Sequence, residues 1–174
     1  RTAISLAWEG ENLYTGHPWG VMIWNQELKP QKGILLPEPV RELAVDRGVI
    51  WAANRENLYR INSEDWSIGK IKLKKEGDRR SRKVLRMVVI DDALWIGADE
   101  ELMKLDLPSM TLRRFSQREL KELSYRSFRN IVSDGKYVWL AGTLGVRRFD
   151  PQTGTFEKVS YEGEEVQLIG VIDG

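Results

Sequence analysis

Three stretches of this chain repeat one pattern at a fixed interval, and an interval of this length leaves few architectures open. "IWAANRENLYRINSED" begins at Ile50, "LWIGADEELMKLD" at Leu94 and "VWLAGTLGVRRFD" at Val138, so Trp51, Trp95 and Trp139 recur every 44 residues. Tyr14 in "NLYTG" holds the same place 37 residues before Trp51. Each aromatic follows an apolar strand that ends in a turn: 4–10, 40–48, 84–92 and 128–136. Asp or Glu with Gly suits tight hairpins, because Gly accepts positive φ without steric cost. After the aromatic strand come a short polar or Gly-bearing loop, a third strand, a second turn such as "DPQTG" and an outer strand such as "TFEKVSY". Four antiparallel strands in this period is the length of a propeller blade. A helical solenoid would need apolar residues at i, i+3 and i+4, and that pattern is missing almost everywhere.

The chain therefore reads as all-β: a single domain, 1–174, forming a β-propeller section of four four-stranded antiparallel blades plus the first strand of a fifth. The units fall at about 4–39, 40–83, 84–127 and 128–167, and a fifth starts at 168–174. Both ends carry the same innermost element, so closure is expected in a larger ring of about six to eight blades. The remaining blades would come from the same or another polypeptide; association with a second copy and a self-contained four-blade ring are the alternatives. Residues 4–10, 40–46, 84–90, 128–133 and 168–172 are predicted as equivalent strands lining one axis, with Tyr14, Trp51, Trp95 and Trp139 in the core between sheets. One segment departs from strand patterning: in "SQRELKELSYRSF" (116–128), Leu120 and Leu123 lie three apart behind Ser116 as an N-cap, which predicts a short helical insertion.

Composition removes several function classes. With 41% hydrophobic and 30% charged residues the chain is neither disordered nor fibrous. Its longest apolar runs fall short of the roughly 20 residues that span a bilayer, so no membrane insertion is expected. A net charge of +1 gives no global field to steer nucleic acid or acidic lipid. Zero cysteine removes disulfides, thiolate nucleophiles and cysteine-ligated metals. No motif calls for a cofactor or a metal.

"LWIGADEELMKLD" and above all "DGKYVWLAGTLGVRRFDPQTGTF" resemble the propeller repeats of two-component regulator sensors. In that pattern an Asp-Gly turn is followed by an aromatic, Trp, an apolar residue, Gly, Thr and Gly-Leu, and then by a strand ending in Asp-Pro-x-Thr-Gly. The fourth unit matches nearly throughout, the third in part, and the first two by period and turn. The resemblance implies a propeller scaffold and the extracytoplasmic, periplasmic sensing part of a larger signalling protein. It carries no catalytic residues.

Strand order brings two sets of loops to one face, where successive blades can share a ligand on a rigid frame. The loops between second and third strands offer His17, Trp19, Asn54, Arg55, Asp99 and Thr143 as ligand-binding residues. The loops leading to the next unit include Arg79, Arg80, Arg82 and Lys83, a basic run that could hold an anion. That run lacks interleaved aromatics, so specific nucleic-acid reading is not expected. His17 is the only histidine, which excludes two-histidine catalysis, and "GHPWG" reads as a structured turn or a platform for stacking. Asp99, Glu100 and Glu101 read as a solvated turn, since no calcium-loop spacing surrounds them. Arg113-Arg114 and Arg147-Arg148 read as outer-strand pairs. The expected function is a non-catalytic recognition module that binds a small polar ligand or a protein partner. A scaffold segment in a multiprotein assembly is the second reading. A propeller lyase or hydrolase built on His17 with Asp99 or Glu100 is the third.

Overall fold

The structure, a computed structural model, describes residues 3–74, 84–98, 101–115, 128–142 and 145–160. It contains four four-stranded antiparallel sheets, the four blades expected, and no helix among the described residues. The first sheet is β1 (Ser5–Glu9), β2 (Asn12–His17), β3 (Gly20–Trp24) and β4 (Pro30–Leu35). The second is β5 (Glu42–Asp46), β6 (Val49–Ala53), β7 (Asn57–Asn62) and β8 (Ile68–Lys72). The third is β9 (Val84–Ile90), β10 (Ala93–Ala98), β11 (Glu101–Asp106) and β12 (Thr111–Phe115). The fourth is β13 (Phe128–Ser133), β14 (Val138–Gly142), β15 (Gly145–Asp150) and β16 (Thr155–Ser160). In every sheet the strands are neighbours in chain order. Of the helical insertion predicted over 116–128, residues 116–127 lie outside the described residues and Phe128 opens β13; the fifth strand over 168–174 also lies outside them.

Turn chemistry sets each hairpin. Asp46 pairs with Val49, and the two residues between them, Arg47 and Gly48, both have positive φ (48° and 71°), the backbone that matches strand twist across a two-residue loop. The third unit has Asp-Asp where the second has Arg-Gly, and Asp91 takes the left-handed conformation itself (φ 51°). Third strands end in a shared device. The side-chain oxygens of Asn25, Asn62, Asp106 and Asp150 accept the backbone N–H of Glu27, Glu64, Ser109 and Gln152, pinning the turn into the outer strand.

The chain forms two compact units, one ending at Val84 and one beginning at Leu85. In the first unit, Tyr14, Val21, Ile23 and Ile34 of the first sheet pack on Leu43, Ile50, Ala52 and Ile61 of the second. In the second unit, Ile90, Trp95, Leu102 and Phe115 pack on Ile131, Val138, Leu140 and Phe149. Trp95 stacks on Phe115 with centroids 5.6 Å apart and meets the edge of Phe149 at 4.8 Å. The residue two positions after each repeat aromatic is small: Gly16, Ala53, Gly97 and Ala141. At Gly97 a Cβ would stand 3.0 Å from Ile131 Cδ1, and at Gly16 it would stand 2.8 Å from Val40 Cγ1. Ile131 of the fourth sheet presses into the space at Gly97, and Val40 of the connection into the second sheet does so at Gly16.

Tyr14, Trp51 and Trp95 are buried as expected, at 3%, 2% and 1% exposure, but Trp139 is only half-buried. The reason lies in its register. Val138 and Leu140 point into the seam with the third sheet, so Trp139 stands on the opposite face of the fourth sheet. There its indole N–H donates to Asp134 at 2.8 Å, and the Arg148 guanidinium lies 5.9 Å from its ring.

Candidate functional site

The connection 36–41 between β4 and β5 is threaded between two loops at one end of the first unit. Leu36 N–H donates to the Trp19 carbonyl (3.0 Å), Val40 N–H to the His17 carbonyl (3.0 Å) and Arg41 N–H to the Ala53 carbonyl (2.8 Å). Leu36 and Val40 are buried anchors. Between them, Pro37 and Pro39 flank Glu38 and stiffen the backbone around it. The second-to-third-strand loops and the blade-to-blade connection therefore share one end of this unit, as strand order implied.

Glu38 is the hub. Asn57 Nδ2 donates to both of its carboxylate oxygens (2.9 and 3.1 Å), and Asn54 Nδ2 donates to one of them. Asn54 is itself buried, and its Oδ1 accepts the N–H groups of Glu56 and Asn57, both at 2.8 Å. One amide thus caps its own turn and carries the carboxylate. Glu56 accepts from Lys74 Nζ at 3.0 Å. A cleft of about 390 Å³ opens over this network, lined by Glu38, Pro39, Arg41, Asn54, Arg55 and Glu56. Two carboxylates, two guanidiniums and an amide line one hollow, a set that meets a polar ligand carrying both charge signs or many hydroxyls.

Of the sequence-predicted residues, Asn54 and Arg55 come together on this cleft. His17 and Trp19 form a separate pair across the 36–41 connection, their rings stacked 4.9 Å apart at 10°. His17 is buried at 7% exposure, with Nε2 2.8 Å from the Thr15 hydroxyl; Trp19 is half-buried and its ring lies against Gly33. His17 Nδ1 and Trp19 Nε1 are buried with no hydrogen-bond partner among the described residues. Asp99, Glu100, Thr143, Arg79, Arg80, Arg82 and Lys83 lie outside the described residues. Glu101 corrects the reading of 99–101 as a solvated turn: it is a buried β11 residue that accepts from Arg114 at 2.8 Å. Arg147 and Arg148 belong to the third strand, β15, not the outer one, and Arg147 is buried at 6% exposure. Sequence reasoning missed Glu38, Arg41 and Glu56. The signal available was "PEPV", a charged residue locked between two prolines at a blade junction.

No protein-family model matches the sequence, and no curated protein matches it. Solved structures share its fold. The structure of U3-55K superposes with a TM-score of 0.69 at 14% identity, over 88% of this chain and 48% of that one. An extracellular domain assigned to a hybrid two-component system of B. thetaiotaomicron superposes with a TM-score of 0.70 at 16% identity, over 94% of this chain and 22% of that one. A second such domain from the same organism gives 0.65 at 15% identity, over 87% and 22%. The chain spans about half the length of the first and under a quarter of the other two. At these identities the shared property is the bladed all-β scaffold, one also used by extracellular domains of two-component systems.

Proposed function

We propose that this chain is a non-catalytic recognition module, the ligand- or partner-binding part of an extracytoplasmic sensor propeller of the two-component regulator type. The observation that carries the reading is the cleft at Glu38, Arg41, Asn54 and Arg55, whose walls are fixed by backbone and amide hydrogen bonds before any ligand arrives. Both oxygens of Glu38 are already engaged by amide donors, which suits a group that holds a geometry better than one that moves a proton. The mixed charges favour a saccharide or a peptide end. The repeat motif of the fourth unit and the fold shared with extracellular two-component domains support the sensor reading. The test is a thermal-shift screen of oligosaccharides and short peptides against the wild type and an Arg41→Ala/Arg55→Ala variant. Stabilisation of the wild type by one class, weakened at least tenfold in the variant, about 1.4 kcal/mol, supports the reading. Equal stabilisation of both proteins moves the site elsewhere.

A further inference from the structure

Both carboxylates on the walls of the cleft are already engaged, and neither guanidinium is. Glu38 receives Asn57 Nδ2 on both of its oxygens and Asn54 Nδ2 on one, and Glu56 receives Lys74 Nζ at 3.0 Å. Arg41 and Arg55 line the same hollow, and neither side chain has an ion pair or a hydrogen bond among the described residues.

The backbone sets both arginines there. Arg41 N–H donates to the Ala53 carbonyl at 2.8 Å, which ties the end of the 36–41 connection to the end of β6, just before Arg55. Arg55 follows Asn54, whose Oδ1 holds the turn by accepting from the Glu56 and Asn57 N–H groups. Arg41 is half-buried and Arg55 exposed. A guanidinium presents its N–H donors in a planar fork that matches the two oxygens of a carboxylate.

Charge balance selects among anions. Glu38 and Glu56 are opposed by Arg41, Arg55 and Lys74, so the walls hold one positive charge in excess. A monoanion neutralises that excess. A phosphate group, at about −1.5 to −2 near neutral pH, overshoots it and meets two fixed carboxylates. A cationic ligand would meet two uncommitted guanidiniums.

We propose that the ligand of this cleft carries a carboxylate, held by the guanidiniums of Arg41 and Arg55. The proposal rests on the cleft being a recognition site and names the chemical group recognised there. A peptide C-terminus and a uronic acid supply the same group.

Isothermal titration of the 174-residue chain with matched probes tests this. One pair is N-acetyl-trialanine with a free C-terminus and its C-terminal amide; the other is methyl glucuronide and its methyl ester; inorganic phosphate is added as a control. At least one carboxylate should bind about tenfold or more tightly than its neutral partner and than phosphate. The pair in which it does so identifies the source. Arg41→Gln and Arg55→Gln should each abolish that preference. Arg55 is exposed, so Arg55→Gln carries the test should Arg41→Gln lower the melting temperature. A neutral partner that binds as tightly as its acid, with both weakened by either substitution, overturns the carboxylate and leaves the cleft a recognition site. Phosphate binding more tightly than either carboxylate overturns the charge balance and the proposal with it. No binding of any probe, or binding that neither substitution changes, overturns the proposal together with the recognition site itself.

Discussion

Trp95 and Trp139 occupy the same position of the repeat, so truncating each to alanine separates the motif from its environment. Trp95 is 1% exposed, stacked on Phe115 and edge-on to Phe149. Its removal leaves a cavity between two sheets, and buried Trp-to-Ala changes cost about 3–5 kcal/mol. Two aromatic contacts worth roughly 0.5–1.5 kcal/mol each beyond burial place Trp95→Ala at the upper end of that range. Trp139 is half-buried, so about half the transfer and cavity loss applies. Its indole bond to Asp134 is open to solvent and adds at most about 1 kcal/mol. Trp139→Ala should thus cost about 1.5–2.5 kcal/mol. Urea denaturation followed by far-UV circular dichroism reads both. The expected result is a clearly lower midpoint for Trp95→Ala with an unchanged slope. Equal losses, or a larger loss at Trp139, would refute the assignment of the two residues to different sides of their seams.

Gly97→Val should destabilise by about 1–3 kcal/mol in the same assay, because the new side chain must displace Ile131. Arg55→Ala should leave the melting temperature unchanged, whereas Trp19→Ala should lower it, since Trp19 stacks on a buried histidine. The carboxyls of Asp106 and Asp150 are held below the usual range, Asp106 chiefly by the Ser109 hydroxyl and Asp150 chiefly by the Gln152 N–H. A depressed folded-state pKa adds stability above the unfolded value near 3.9, and that stability is lost as pH falls through the folded value. Asp106→Asn with Asp150→Asn should therefore flatten the acid limb of the stability–pH curve, as the first two sheets already use Asn25 and Asn62; an unchanged limb would sink this account.

The blades were legible in the sequence because their causes are local. Hairpin chemistry at Gly10, Gly48 and Gly135, side-chain caps at the third-strand ends and an aromatic at a fixed period all act within one unit. Trp139 was misjudged because periodicity reports the position of a residue within its sheet, while burial depends on which sheet lies over that face. The cleft was half legible. Asn54 and Arg55 follow from loop order, but Glu38 enters through a blade junction whose path is set by hydrogen bonds to Trp19, His17 and Ala53, contacts between residues too far apart in the chain for pattern reading to couple. Arg147 was assigned to an outer strand, whereas it lies in the third strand, β15, where Val138 and Leu140 of the neighbouring strand share its buried face.

The threading of 36–41 also bears on the kinetics of the recognition proposed for this cleft. Association loses about 0.5–1.5 kcal/mol for each rotamer-rich side chain it freezes. At this cleft the Glu38 carboxylate is already clamped by Asn54 and Asn57, and Glu56 is tied to Lys74. Of the lining side chains, Arg55 is the exposed long one left to be ordered. Encounter should accordingly proceed in a single concentration-dependent phase without a slow rearrangement, so that ligands of different affinity differ in how long they stay and scarcely in how fast they arrive.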